Sequence, residues 1–356
     1  MKGLVPPFIT TILEGRIKKL HNTDRISLDH GGGGRISHRL ISDLILPAFD
    51  NVVLSQLGDG AVLNLNGMRL AFSTDTFTVD PLFFPGGDIG RLAINGTVND
   101  IAMCGADPLF LSVGVLIEEG FPLDDFRSII AAMSESAKEA GVMIVTGDTK
   151  VVPKGAADML FVNTTGIGII PDGIEISPRR AEPDDRIILS GTIGDHGLAV
   201  LLQRESMAVD ASIHSDTAPL NHLVKKMLSA SPNIHVLRDP TRGGLGTTLN
   251  EIAQSSQKGI IIQQTEIPIK TEVESVCELM GFDPLYLANE GKLVAIVPET
   301  DTDKVLTAMR RDPHGKEAAI IGQVVSERSG MVLMKTKIGG MRIVEMLSSE
   351  QLPRIC

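Results

Sequence analysis

Four aspartates in the first half of the chain stand beside Gly, Thr or Asn where apolar runs end. They are Asp59 in Gly58-Asp59-Gly60-Ala61, Asp75 in Ser73-Thr74-Asp75, Asp100 in Asn99-Asp100 and Asp148 in Gly147-Asp148-Thr149-Lys150. Hard divalent cations such as Mg²⁺ take oxygen ligands, with waters and nucleotide phosphates completing the shell. One aspartate of this kind is ordinarily a turn or cap residue. Four at element ends shift the balance towards a shared cation and phosphate site. Asn99-Asp100 also sits inside an otherwise apolar helical run, where two polar residues require a reason.

The run Gly31-Gly32-Gly33-Gly34-Arg35 has too much backbone freedom for a helix or strand interior and suits a loop that approaches something closely. Its amides and Arg35 fit a polyphosphate. It is not followed by Gly-Lys-Ser/Thr and lacks the G-x-G-x-x-G spacing, so neither familiar phosphate fingerprint applies. In the second half, Ser190–Gly197 and Arg238-Asp239-Pro240-Thr241-Arg242-Gly243-Gly244 lie at expected strand-to-helix turns. Helix amino termini favour anions, and plain structural turns explain either stretch equally well. The eight histidines form no i, i+4 pair, so a zinc or iron centre is not expected, and no Gly-x-Ser-x-Gly elbow marks a serine hydrolase.

Composition narrows the class. Lys plus Arg is 33 against 44 Asp plus Glu, a net charge of −11 that argues against nucleic-acid binding. Aromatics are 3 %, with no Trp and the single Tyr286, so stacking platforms are scarce. Cys104, Cys277 and Cys356 are odd in number and widely spaced, unlike a disulfide framework or a zinc site; a reducing cytoplasm is the expected home. No apolar run reaches the ~18 residues of a membrane span, and no signal peptide is expected before Pro6-Pro7.

These residues need elements to hold them. At ~150 residues per domain, 356 residues predict two domains. Residues 1–28 form a lead segment with a short amphipathic helix over 5–20. Residues 29–175 form a first domain: strands at 69–73, 108–118, 142–145 (buried) and 159–170, and helices at 88–104, capped by Asp88, and 124–140, stopped by Gly141. Residues 176–346 form a second α/β unit ending in a hairpin over 331–346. Residues 347–356 show no period and read as a mobile tail. The class is α+β.

Several stretches carry a resemblance: His30–Gly34, Phe72-Ser73-Thr74-Asp75, Asp80–Gly87, Gly147–Val152, Arg238–Gly244, Ala288-Asn289-Glu290-Gly291-Lys292-Leu293 and Pro353-Arg354-Ile355-Cys356. Over residues ~29–356 the chain resembles the HypE family of hydrogenase maturation factors. That family lies in the ATP-binding superfamily of aminoimidazole ribonucleotide synthetase, selenophosphate synthetase and thiamine-monophosphate kinase. The resemblance implies a two-domain PurM-like fold, with mixed sheets, helices on one face and a flexible tail. It implies that 29–175 binds ATP with Mg²⁺ and pairs into a homodimer. The implied reaction converts a carbamoyl group on Cys356 into a thiocyanate, the source of a cyanide ligand for nickel–iron hydrogenase. The implied partners are a HypF-type carbamoyltransferase and a HypC/HypD-type iron scaffold.

By motif match, Asp59, Asp75, Asp100 and Asp148 are the expected metal ligands. With Asp239 and Gly32, Gly33 and Gly34 they are also the expected ATP contacts. Cys356, Glu290 and Lys150 are the expected catalytic residues, the tail docking beside Glu290 and Lys150 for dehydration and leaving to meet its carbamoyltransferase. Two readings compete. A selenophosphate synthetase would carry Cys or selenocysteine with Lys near the glycine loop, and residues 24–43 have neither; a small-molecule kinase would have no use for Cys356. The other rival is an ATP-binding scaffold with a docking tail. The departure from the family pattern is the long lead segment.

Overall fold

The structure, a computed structural model, describes residues 25–49, 51–206, 212–348 and 352–356. The helix expected over 5–20 lies outside the described residues. Strands β1 (Ala61–Leu65), β2 (Met68–Phe77), β5 (Asp107–Glu118), β6 (Met143–Val152) and β7 (Leu160–Ile170) form a mixed sheet in the order β1-β2-β7-β5-β6. Only the β5–β6 pair is parallel. Between β2 and β5 run the short ribbon β3 (Phe83–Phe84) and β4 (Gly87–Asp88), then helix α3 (Ile89–Met103).

Burial alternates along β7 with a period of two. Its inward face meets α3, and Gly166 and Gly168 let Ile101 approach: a β-carbon at either would stand 2.6 Å from that side chain. Asp88 caps α3 as expected, accepting from the amides of Gly90 (2.8 Å) and Arg91 (3.1 Å). Helix α4 (Leu123–Ala140) packs on α3 and ends at Gly141, whose φ of 73° suits glycine. Among the described residues the opposite sheet face is open, with Phe72, Ile167 and Ile169 exposed.

Strand β6 departs from the sequence reading. It was expected as a buried strand over 142–145; it runs to Val152 along the sheet edge with Met143, Ile144, Val145 and Val151 exposed. Apolar residues there signal a surface, because an edge strand has one neighbour and α4, which touches β6, leaves these side chains exposed. The glycine loop leads into a helical run with no expected counterpart: α1 (Arg35–Leu40), a π-helical turn (Ile41–Ile45) and α2 (Leu46–Phe49).

The second sheet orders β14-β13-β10-β12-β8-β11-β9, from β8 (Arg186–Leu189), β9 (Val236–Arg238), β10 (Gly259–Gln263), β11 (Val294–Val297), β12 (Ala319–Val325), β13 (Val332–Lys335) and β14 (Met341–Val344). The last two are the expected hairpin, Val332 opposite Val344. Helix α5 (Asp195–Arg204) and helix α8 (Thr271–Met280) pack towards the first domain through Leu198, Val200 and Val273. Helices α6 (Asn221–Ala230) and α9 (Thr302–Arg310) cover one face of the second sheet, around Ile188, Leu237 and Ala295. Helix α7 (Gly244–Ser256) covers the other, around Ile187, Leu189 and Val236. Among the described residues no helix is long and apolar enough to cross a membrane.

Candidate active site

A cavity of about 530 Å³ opens between the two domains. The first domain lines it with Asp59, Asp75 and Asp100, the second with Asp239 and Glu290. Strand alternation turns Asp75 to the helix-facing side of β2, the side of Ser73 and Phe77. Ser73 donates to Asp100 across that interface at 2.6 Å. The two polar residues inside α3 thereby acquire separate reasons. Asn99 bonds the second domain, donating to Ala218 O (3.1 Å) and accepting from Leu220 N (2.8 Å). Asp100, one residue on, faces the cavity.

Arg238 is a site residue that the sequence reading placed only within a turn motif. It ends β9 and reaches Asp59 through Nε and Glu251 through Nη2, both at 2.6 Å. Glu251 in turn meets His38 Nε2 at 2.9 Å. This charged chain ties the loop before β1, strand β9, helix α7 and helix α1 around one wall. The local signal was an Arg-Asp pair at a strand end; its partners are too distant in sequence for any spacing rule.

The carboxylates outnumber their cations. Burial first, then neighbouring carboxylates, push Asp100 well above the usual range. Burial and the charges of Asp239, Glu251 and Asp75 do the same to Asp59 against the pull of Arg238. Asp239 is raised to about 6, mainly by burial. Such a cluster is high in energy until a cation neutralises it. No three of the acidic, His or Cys residues among those described already form one coordination set.

Glu290 is fixed by its neighbours. Asn289 accepts from Gly194 N (2.8 Å) and donates to Pro240 O (2.9 Å), anchoring the turn. Gly291 lies against the Asp216 backbone, where a β-carbon has no room. Asp216 accepts from Glu290 N at 3.0 Å. The Glu290 side chain is buried, and its Oε1 has no hydrogen-bond partner among the described residues. Burial, with Asp239 and Asp216 nearby, holds this carboxyl well above its ordinary value.

The described part of the tail is seated in this structure. Leu352 and Ile355 are buried in the first-domain core cluster, and Cys356 lines the same cavity as Glu290. The backbone pairs with residues 78–80: Thr78 N donates to Cys356 O (2.9 Å) and Asp80 N to Arg354 O (3.1 Å). Two apolar anchors and main-chain bonds seat residues 352–356 without a helical or strand period.

Other expected residues are placed elsewhere. Asp148 and Lys150 lie on β6, about two-thirds exposed, paired with each other at 3.2 Å and outside the cavity lining. The lysine near Glu290 is Lys292, which bonds Asp216 Oδ2 at 3.0 Å. Of the glycines, Gly33 lines the cavity with a φ of 72°, and its amide donates to Ser37 Oγ at 3.0 Å. Gly34 packs against Leu347, whose carbonyl accepts from Arg35 N at 2.9 Å. Gly32 does not line the cavity.

Residues 57–170 match the AIR synthase related protein N-terminal domain and residues 182–335 its C-terminal domain. The chain is 53 % identical over 333 residues to the carbamoyl dehydratase HypE of Cupriavidus necator, covering 93 % of this chain and 95 % of that protein. It matches the structure of hydrogenase maturation protein HypE in complex with ATP at 53 % identity and TM-score 0.79, over 93 % of this chain and 100 % of the other. It matches a HypE–HypF complex at 49 % identity and TM-score 0.83, over 86 % and 99 %. With AIR synthase related domains over both halves and half of its residues shared with a full-length relative, the chain belongs to the HypE family of carbamoyl dehydratases.

Proposed function

We propose that this protein uses ATP to dehydrate an S-carbamoyl group on Cys356 to a thiocyanate for nickel–iron hydrogenase maturation. The observation that carries it is the shared cavity: a thiol on a docked tail, an unpartnered buried carboxyl and a cluster of under-neutralised carboxylates.

The chemistry requires these parts. Hydroxide is a poor leaving group from an amide carbon. Transfer of a phosphoryl group from ATP to the carbamoyl oxygen makes that oxygen part of phosphate. The S–C(O-phosphate)=NH intermediate then loses phosphate and its remaining N–H proton, leaving S–C≡N; the first N–H proton departs as the C=N bond forms. Glu290 is the base: a carboxylate whose proton affinity is raised by burial accepts more readily than an ordinary one. The docked tail converts the reaction into one between neighbours. A closed cavity favours elimination over hydrolysis.

The carboxylate oxygens are of the kind Mg²⁺ takes. With no three of them standing as a formed set among the described residues, nucleotide phosphates and waters would complete the shell. Asp75, Asp100 and Asp239 would hold the ion with Asp59, whose carboxylate also pairs with Arg238. Bound with the nucleotide, the ion supplies charge neutralisation at the phosphates. Gly33 and Arg242 line the cavity, and Arg242 donates to Gly31 O at 3.2 Å, which supports a glycine loop that would cover the nucleotide.

Pairing of two copies through the first domain accounts for two features. It covers the apolar outer face of the first sheet and the edge of β6. It also gives Asp148 and Lys150 a route into catalysis, from the edge of one copy towards the cavity of another. A HypF-type carbamoyltransferase would load Cys356 with the tail released, and a HypC/HypD-type scaffold would receive the cyanide. The test is the intact mass after incubation with that carbamoyltransferase, carbamoyl phosphate and ATP. A gain of about 43 Da converting to about 25 Da on Cys356 follows from the added atoms of this thiol chemistry. No gain, or a gain retained by Cys356→Ala, overturns the reading.

A further inference from the structure

Helix α5 touches the terminal segment at both of its ends, and among the described residues its hydrogen bonds there go to main-chain carbonyls. In its first turn His196 Nε2 donates to Ile355 O at 2.7 Å, while Ser215 Oγ lies 2.8 Å from Nδ1 and completes the imidazole's pairing. In its last turn Arg204 directs its hydrogen bonds to backbone, with the Asp80 carboxylate 4.0 Å from Nε. Nη1 donates to Pro353 O (2.8 Å), Nη2 to Arg354 O (2.7 Å) and Nε to Asp80 O (2.7 Å). One guanidinium thus bridges two consecutive tail carbonyls and the segment on which the tail lies.

We infer that Arg204, with His196, is a positioning residue for dehydration: it fixes the path of residues 353–355 and so where the Cys356 sulfur stands. The inference rests on the proposed reaction but concerns a separate element, α5, which supplies no lining of the cavity. Arg204 is only 19 % exposed, so its bonds form where water competes poorly. A planar fork with fixed donor directions sets the angle between consecutive carbonyls, which a lysine ammonium cannot do. The contacts also ignore side-chain identity in the tail, so a carbamoyl or cyano group on Cys356 leaves them intact. Ile355 and Leu352 supply the apolar hold and Arg204 the registration. Releasing the tail breaks the Arg204 bonds to Pro353 and Arg354 but not the one to Asp80. The side chain therefore keeps one anchor for the tail's return.

The experiment compares wild type, Arg204→Met and Arg204→Lys in the full chain. Three rates are read: alkylation of Cys356 by iodoacetamide in the free protein, carbamoylation by the HypF-type enzyme, and single-turnover conversion of the carbamoyl to the cyano adduct by intact mass. Nucleotide affinity is measured alongside. Arg204→Met should alkylate roughly 10-fold faster and carbamoylate at least as fast, yet convert about 10- to 100-fold more slowly at unchanged ATP affinity, since small misplacements of reacting groups cost about that much. Arg204→Lys, which keeps charge and stem, should fall between. Conversion and alkylation at wild-type rates in Arg204→Met overturn the inference. Parallel loss of conversion, carbamoylation and ATP affinity in both variants also overturns it, by making Arg204 a folding residue. Failure of wild type to convert at all would instead refute the proposed reaction, and the alkylation rates would still decide the positioning role.

Discussion

Asp216 accepts the main-chain N–H of Glu290 at 3.0 Å, and its other oxygen lies 3.0 Å from Lys292 Nζ. One buried carboxylate therefore holds the backbone of another. The Lys292 ammonium and the His196 ring keep Asp216 below the usual carboxylate range despite its burial. Asp216→Asn leaves Lys292, 13 % exposed, without its counter-charge. Loss of one partner of a buried pair costs about 3 kcal/mol or more. Urea unfolding should show that loss; a midpoint shift worth under about 1 kcal/mol would make the pair dispensable.

Glu290→Gln preserves shape and removes the proposed base. Conversion of carbamoyl to cyano should fall at least ~100-fold, the usual range for general-base removal. Nucleotide binding and carbamoyl loading should persist, read by calorimetry and intact mass. Conversion at more than a tenth of the wild-type rate assigns the proton transfer elsewhere.

The acidic cluster gives a pH signature with a defined sign. Asp59, Asp100 and Asp239 take protons more readily in the fold than in the unfolded chain. Their contribution to stability is present below the ordinary value of 3.8 and lost as pH rises through the folded values, about 6 for Asp239. Mg²⁺ bound at the cluster would oppose that loss. Thermal melts should show a larger Mg²⁺ stabilisation at pH 8 than at pH 5, and Asp100→Asn should shrink the difference. Equal Mg²⁺ effects at both pH values in wild type would remove the cluster as the ion's site. Asp75→Asn should likewise lose Mg²⁺-dependent ATP binding in calorimetry, since a neutral amide is a poor ligand for a hard cation.

Strand β6 makes assembly testable. Val145→Lys and Val151→Glu put charge on an exposed apolar edge without opening a core, as both side chains are more than half exposed. Light scattering should show the wild type near twice 38.1 kDa and the double variant near the chain mass. Dehydration should fall with it, because Lys150 sits between those positions. A fully active monomer overturns both the pairing and the role of Lys150.

The sequence by itself determined what acts within a few residues. The Asp88 cap, the apolar spacing of α3 and α4 and the stop at Gly141 are local, and each stands where its spacing places it. So does the hairpin at β13 and β14. The motifs around Asp59, Asp75, Asp100, Asp239 and Glu290 were visible as polar residues at element ends, and the fold gathers all five around one cavity. Tertiary structure decided the rest. Strand β6 read as buried from its apolar residues, but burial depends on what covers a strand, and its own composition does not say. Arg238 acquires its role only when β9, α7 and the loop before β1 converge. The tail has no period, yet it docks, because its partners are Thr78, Asp80, His196 and Arg204, far away in the chain. The raised proton affinity of Glu290 is a property of desolvation and neighbouring charge. Those quantities exist only once distant segments have packed.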